Sequence, residues 1–368
     1  MEIIHARTKS EINAFIKFPL KVYKNDDLYV PQLSMDMKVH FSERNPFIKD
    51  SEVKFFLAIK DGNVVGRIAS IINPQHIKFH NEMAGFFGFF ECINDSDISN
   101  ALLNRVQNEL KKKGMNIMRG PMNFSTNEEC GFLIEGFDSS PMLMMPYNPF
   151  YYNELMDIFG MTKAKDLYAY IYEFSNTLPE KVLRVASLAE KKGIRVRTID
   201  KKNFLSDMKI FQDIYNTAWR KNWGFIPITD EELFYSAKRL KPIVETDITL
   251  IAEKDREPVG FLGLIPDYNY VLKRMKGKLN PITFLKGLYY SRRIPDLRLL
   301  LYGIKPEYRN RGVDALLFKE GHKNILKKGG CRQIEFSWIL EDNIQVLRMC
   351  EMFGARLYKK YRIYEKAI

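Results

Sequence analysis

The chain has 368 residues, 46% of them apolar and 13% aromatic, and its 57 Lys and Arg against 45 Asp and Glu give a formal net charge of +12. That length accommodates two domains, and the apolar content excludes a disordered chain. The positive balance favours anionic partners: a phosphorylated cofactor, acidic lipid headgroups or nucleic acid.

Cys92, Cys130, Cys331 and Cys350 form no C-x-x-C pair, which argues for free thiols in a reducing compartment and against a metal site. Charge interrupts the N-terminal "MEIIHARTKSEINAFIKFPLKVYK" every few residues, and no run reaches membrane-span length. The expected location is cytoplasmic, with room for peripheral contact at the inner membrane.

In chain order, "FFLAIKDGNVVGRIASI" from Phe55 reads as strand, Asp-Gly turn and strand. "GFFGFFECI" is the next strand. A helix follows, with Asp95, Ser96 and Asp97 as cap candidates, Lys111–Lys113 near its C-terminal dipole and Gly114 as its stop. "NIMRGPM" is again a strand. The polar stretch "GPMNFSTNEECG" then offers Asn123, Ser125, Asn127 and Glu128. They either hold the polar head of a substrate or form a turn-rich surface loop. A helix ending at Gly160 and the strand "LYAYIYEF" close the first half. Pro179 breaks that strand, so the domains are expected as 1–176 and 177–368.

The second half opens with helices. "AWRKNWGFIPITDEE" clusters Trp219, Trp223 and Phe225 before a Thr229–Glu232 capping box. The aromatics either line an apolar pocket or join two helices. "TLIAEKDREPVGFLGLI" repeats the earlier hairpin. Gly66 and Gly260 stand 194 residues apart, as do Gly160 and Gly354, so the domain is duplicated. Between those landmarks each half reads strand, helix, strand, a right-handed crossover between parallel strands. A mixed sheet in each half, mostly antiparallel with a central parallel βαβ unit flanked by helices, gives an α/β fold in tandem.

The segment 271–298 interrupts this order with Lys273, Arg274, Lys276, Lys278, Lys286, Arg292, Arg293 and Arg298 against Asp296 alone. Leu, Ile, Phe and Tyr are interleaved. A solvated loop has no use for them, whereas an anionic membrane surface or a phosphorylated ligand does.

"KPEYRNRGVDALL" joins a strand to a helix. Unpaired N–H groups at a helix start, with Gly312 free of a Cβ and Arg309 and Arg311 beside it, suit a phosphate. Asp314 opposes an anion but suits the first turn of a helix. On the strand "RQIEFSWIL", alternation sets Glu335 against Ile334 and Phe336, so it faces either solvent or a partly buried site. Trp338 lines a channel or joins the core. Asn343 is placed to cap the next helix.

This element order, with R-x-x-G at the strand-to-helix turn and the glycine before the last strand, resembles the GNAT acyltransferase superfamily, most strongly over residues 249–366. The first half looks like a second, degenerate copy, as in tandem-GNAT and Fem-like transferases, and the full length resembles a bacterial group that includes ceramide synthases. The resemblance implies acyl-CoA as co-substrate, no metal, and a small-molecule or lipid amine as acceptor. It places the pyrophosphate on Ile304, Arg309, Asn310, Arg311, Gly312, Val313 and Asp314, with Asn343 nearby. It makes Glu335 the candidate base. Many GNATs carry an acidic tyrosine four residues before the glycine matching Gly354; here that residue is Cys350, and Met156 in the first copy. Asn123, Ser125, Asn127, Trp219, Trp223 and Trp338 become the substrate-side candidates. Two readings compete with transfer from acyl-CoA: an inactive binding protein of the same fold, favoured by Asp314 and Cys350, and Fem-like aminoacyl transfer. Nucleic-acid binding lacks any module signature, and oligomeric state is not encoded legibly.

Overall fold

The computed structural model describes residues 1–368 as two compact units. The first comprises Met1–Tyr168, Leu272–Gly287 and Lys359–Ile368; the second comprises Ala169–Val271 and Leu288–Tyr358. The units are therefore interleaved along the chain rather than divided by one break.

The first unit is built on β1 (Glu2–His5), β2 (Glu52–Lys60), β3 (Asn63–Ile72), β4 (Ala84–Cys92), β5 (Ile117–Gly120), β6 (Phe132–Glu135) and the first part of β7 (Thr162–Glu173). β1 to β4 form an antiparallel meander. Asp61 and Gly62 both have positive φ in the β2–β3 turn, as a two-residue hairpin requires. β4 and β5 are parallel and joined by the helix Ser96–Lys112, which Asp95 caps by accepting from the N–H groups of Asp97 and Ile98.

The second unit repeats the plan with β8 (Ile194–Thr198), β9 (Thr249–Lys254), β10 (Glu257–Pro266), β11 (Asp296–Ile304), β12 (Gln333–Leu340) and the start of β13 (Arg356–Ala367). β8 to β11 are antiparallel, and the helix Val313–Lys328 crosses from β11 to the parallel β12. The rest of β13 pairs with β5 and β6, so the last ten residues complete the first unit's sheet.

The duplicated glycines do equivalent work. A Cβ on Gly66 would fall 2.6 Å from Leu102, and one on Gly260 would fall 2.9 Å from Val313, each on its unit's crossover helix. Both glycines let that helix sit directly on the sheet. Gly160 and Gly354 both stop a helix at positive φ. The residue after each donates back to a matching carbonyl, Met161 to Met156 and Ala355 to Cys350. Each unit has its own apolar core between sheet and crossover helix, centred on Ile68, Phe87 and Leu102 in the first and on Leu262, Leu317 and Phe336 in the second. No helix is long and apolar enough to cross a membrane.

Arg298 and Asp296 leave the basic insertion and belong to β11. Asp296 is buried and accepts from Arg332, so the one acid of that segment is not available to the insertion's cations.

The first unit carries an acid-sensitive pair. His76 is buried against Phe86, and burial lowers its pKa to about 4 despite Glu82 at 3.0 Å. Glu82 is lowered to about 2, mainly by the two-pronged bond from Arg119. A base depressed in the folded state gains its proton first in the unfolded chain, so stability should fall as pH drops from about 6.5 to about 4. Glu82 adds a second loss from about 4.5 downward. We expect His76→Gln to flatten the first loss, on the order of 3 kcal/mol, in thermal melts taken across that window. An unchanged slope would remove His76 from the explanation.

Candidate active site

β11 and β12 pair only over Asp296–Leu299 and Gln333–Phe336. Beyond that point they part. β11 stays on β10 as far as Ile304, across a bulge at Leu300. The edges of Leu300–Ile304 and Ser337–Leu340 thus do not pair with each other across the opening, although Tyr302 O and Ser337 O already accept from Trp219 and Arg298. An extended chain bearing amides is the natural occupant, since it can complete the ladder as an added strand would.

The first unit closes the same opening with its own chain. Between β4 and β5, Met122 N donates to Phe87 O at 2.8 Å and Phe89 N donates to Asn123 Oδ1 at 2.8 Å. Gly88 makes this possible, because a Cβ there would lie 1.8 Å from Met122 O.

At the end of β11 the chain makes one 3-10 turn, Pro306–Tyr308, and enters the crossover helix through Asn310 and Gly312, both at positive φ. No side chain caps this helix, and Leu316 N is the first amide bonded back, to Gly312 O. The N–H groups of Val313, Asp314 and Ala315 are left as donors at the positive end of a helix. In the first unit the corresponding donors are taken by Asp95. Arg309 donates to Ala218 O at 2.6 Å, which ties the turn to the end of the helix Phe204–Ala218. Arg311 is exposed, with its guanidinium 5.3 Å from the Tyr308 ring centre. The position of a Gly312 Cβ is filled by Val185 and Ala189 of the helix Glu180–Lys191, so Gly312 serves its own φ and that helix contact. Asp314 is half-buried; its carboxylate adds to the burial that holds the Tyr302 phenol far above its usual range.

Glu335 does not face solvent: it is 0% exposed. It shares a face of the sheet with Ser337 two residues on, and with Arg298 opposite it on β11. Arg298 Nε donates to Ser337 Oγ at 2.8 Å and lies 3.6 Å from the Glu335 carboxylate. Ser337 Oγ and Tyr358 Oη both donate to Glu335, one to each carboxylate oxygen. Tyr358 is only half-buried, so it links the enclosed carboxylate to the outside. The guanidinium favours the charged carboxylate.

The aromatics lie beside this cluster. Trp219 ends the helix Phe204–Ala218, donates from Nε1 to Tyr302 O at 3.0 Å, and meets Trp338 with ring centres 6.4 Å apart. Both indoles are half-buried, unlike Phe225, which packs on Tyr215 in the interior. Trp223 is half-buried as well. The capping box at Thr229 and Glu232 is formed.

No protein-family model matches the chain. Two full-length relatives do. The chain is 32% identical to Protein YghO of Escherichia coli over 98% of its own length and 94% of that protein. It is 30% identical to the bacterial ceramide synthase of Caulobacter vibrioides over 100% of its length and 98% of that protein. A tandem GNAT protein from the clavulanic acid biosynthesis pathway matches its fold with a TM-score of 0.58 at 10% identity, covering 100% of this chain and 98% of the other. A GCN5-related N-acetyltransferase from Sphaerobacter thermophilus matches at 0.52 and 11%, covering 99% and 95%. The chain belongs to the family of Protein YghO and the bacterial ceramide synthase, and its fold is that of the tandem GNAT proteins.

Family membership does not bring every candidate residue to the opening. Cys350 is fully enclosed in the second core, where burial pushes its thiol up to about 12, too weak an acid to protonate a thiolate. Asn343 caps the helix Ile344–Met352 through Val346 N. Asn123, as described, holds β4, and Ser125 Oγ accepts from Asn127 N inside the same loop. Phe124 between them is buried among His40, Phe47 and Phe89. Two members of the Glu335 cluster, Ser337 and Tyr358, are not singled out from sequence, and the third, Arg298, is read there only as part of the basic segment. Arg298 had a signal: an arginine flanked by leucines on a strand, opposite a glutamate on its parallel neighbour.

Proposed function

We propose that this protein is an N-acyltransferase that moves an acyl group from acyl-CoA, or another acyl thioester, to a long-chain or lipid amine. The observation that carries this reading is the buried Glu335 cluster beside a strand opening that runs up to an uncapped helix N-terminus. The opening suits an amide-bearing arm and the helix end suits its phosphates. The thioester supplies an activated carbonyl and a sulfur leaving group.

The protein's share is positioning and proton transfer. A protonated amine must lose one proton before its nitrogen attacks. In this reading Tyr358 Oη, which donates to Glu335, accepts that proton while passing its own to Glu335. The C–N bond forms as the C–S bond breaks, and the sulfur takes the second proton that the nitrogen sheds. Glu335 returns its proton to solvent through Tyr358. Trp219 and Trp338 give the acceptor's apolar part a surface to lie on. A relative is named a ceramide synthase, and a ceramide is the amide of a long-chain base.

The test pairs acetyl-CoA and palmitoyl-CoA with a long-chain amino alcohol and with a short diamine, following thiol release and amide mass. Palmitoyl transfer to the long-chain amine, one thiol per amide, is the expected outcome. Transfer only to the short diamine would replace the acceptor class. No thioester consumed with any amine would end the reading.

A further inference from the structure

The geometry points to the helix Pro281–Ser291 as a docking surface for an anionic lipid bilayer. This helix is turned inside out. Ile282, Leu285 and Tyr289 follow helical spacing along one stripe with Leu288 beside it, and they are 68%, 66%, 54% and 50% exposed. Thr283, Gly287 and Tyr290, the small or polar members and one tyrosine, are the half-buried side. No residue of the helix is buried. A helix that merely covered a soluble surface would show the opposite arrangement.

Charge identifies the occupant. Residues 268–295 contain seven Lys and Arg and no Asp or Glu. Lys276, Lys278, Lys286 and Arg292 are exposed and form no ion pair, and Arg293 lies over the Tyr289 ring at 3.7 Å. Along the chain, Lys278 precedes the helix and Arg292 follows it, and on the helix Lys286 stands beside Ile282 at the edge of the apolar stripe. Apolar side chains that enter the acyl boundary with cations at headgroup level match an acidic membrane surface. A second copy of the chain fits poorly, because a two-fold contact through this face would set cations against cations. The segment before the helix is fastened: Lys273 Nζ donates to Ser140 Oγ at 2.8 Å, and a Cβ on Gly277 would meet Pro31 at 2.9 Å. The helix is thus presented from an anchored base.

The experiment is flotation of the whole chain with vesicles of phosphatidylcholine alone and with about one-third phosphatidylglycerol, at low and high salt. The protein should float with the acidic vesicles at low salt and stay behind with neutral ones. Ile282→Ser, Leu285→Ser and Tyr289→Ser combined should cut binding at least tenfold with an unchanged melting temperature, since these side chains are exposed. Replacing Lys278, Lys286 and Arg292 by Ala should weaken binding roughly fivefold per cation. Failure of the wild type to float overturns the proposal, as does a serine variant that floats equally well. A serine variant that loses self-association but not flotation assigns the face to a second copy instead. Flotation needs neither acyl donor nor acceptor, so its outcome is independent of the transferase reading.

Discussion

Glu335→Gln is expected to lower acyl transfer by roughly 10²- to 10⁴-fold, the usual worth of a positioned general base, while leaving donor binding intact. Glutamine keeps the size of the side chain; its one oxygen can still accept from Ser337 or Tyr358, while its amide nitrogen can only donate to the other hydroxyl. It cannot take the proton. It also removes the counter-charge 3.6 Å from the buried Arg298 guanidinium. Removing one partner of a buried pair is costly, but Arg298 keeps its bond to Ser337, so we expect the low end, roughly 3 kcal/mol. Thermal melts would report that as a drop of several degrees. Tyr358→Phe separates the two effects. It leaves the Glu335–Arg298 pair in place and removes the hydroxyl that connects it to the outside. A relay requires kcat to fall about 100-fold with the donor KM unchanged and the pH profile altered. If Tyr358→Phe changes only the melting temperature, the cluster is a structural ion pair and the base lies elsewhere. Cys350→Ala serves as the control that should leave kcat in place.

The repeat was legible because it rests on residues whose roles are local. Gly66 and Gly260 must lack a Cβ to seat a helix, and Gly160 and Gly354 must hold positive φ to stop one. Such requirements survive divergence and show as fixed spacing. The partner of a strand is not local. "LYAYIYEF" and "LYKKYRIYEK" both read as closing strands, but nothing in their alternation says that β13 runs on to pair with β5 and β6. Glu335 shows the same limit. Alternation assigned it a face, and whether that face is covered depends on Tyr358, which is 23 residues away. Gly88, inside the apolar strand "GFFGFFECI", marked the close approach of the loop that fills the first unit's opening. That mark was in the sequence and only its meaning needed the structure.

The donor turn yields the second large expectation, and its two halves have opposite signs. Gly312→Glu should reduce acyl-CoA binding at least 100-fold in calorimetry. An L side chain at φ +82° is disfavoured by roughly 1–2 kcal/mol. Its Cβ would also stand 3.0 Å from Val185 Cγ1 and from Val185 O, and a backbone oxygen yields little, which adds roughly 1–3 kcal/mol of overpacking. The helix Glu180–Lys191 must then shift and the amides of Val313 and Asp314 re-aim. Loss of binding alone would not separate a broken cradle from a disturbed fold. Asp314→Asn does. It removes a carboxylate from the first turn, giving up about 0.3–1 kcal/mol of favourable interaction with the helix dipole. It also removes a negative charge from the place where the pyrophosphate is proposed to lie. At a partly solvated distance of a few ångströms that repulsion is worth about 1 kcal/mol or more, so binding should tighten about fivefold even as the protein becomes slightly less stable. A variant that binds better and melts lower cannot be explained by general damage. If Asp314→Asn leaves affinity unchanged or weakens it, no anion sits at this helix start. Asp314 is then a first-turn residue and nothing more, and the donor, if there is one, enters the β11–β12 opening by another route.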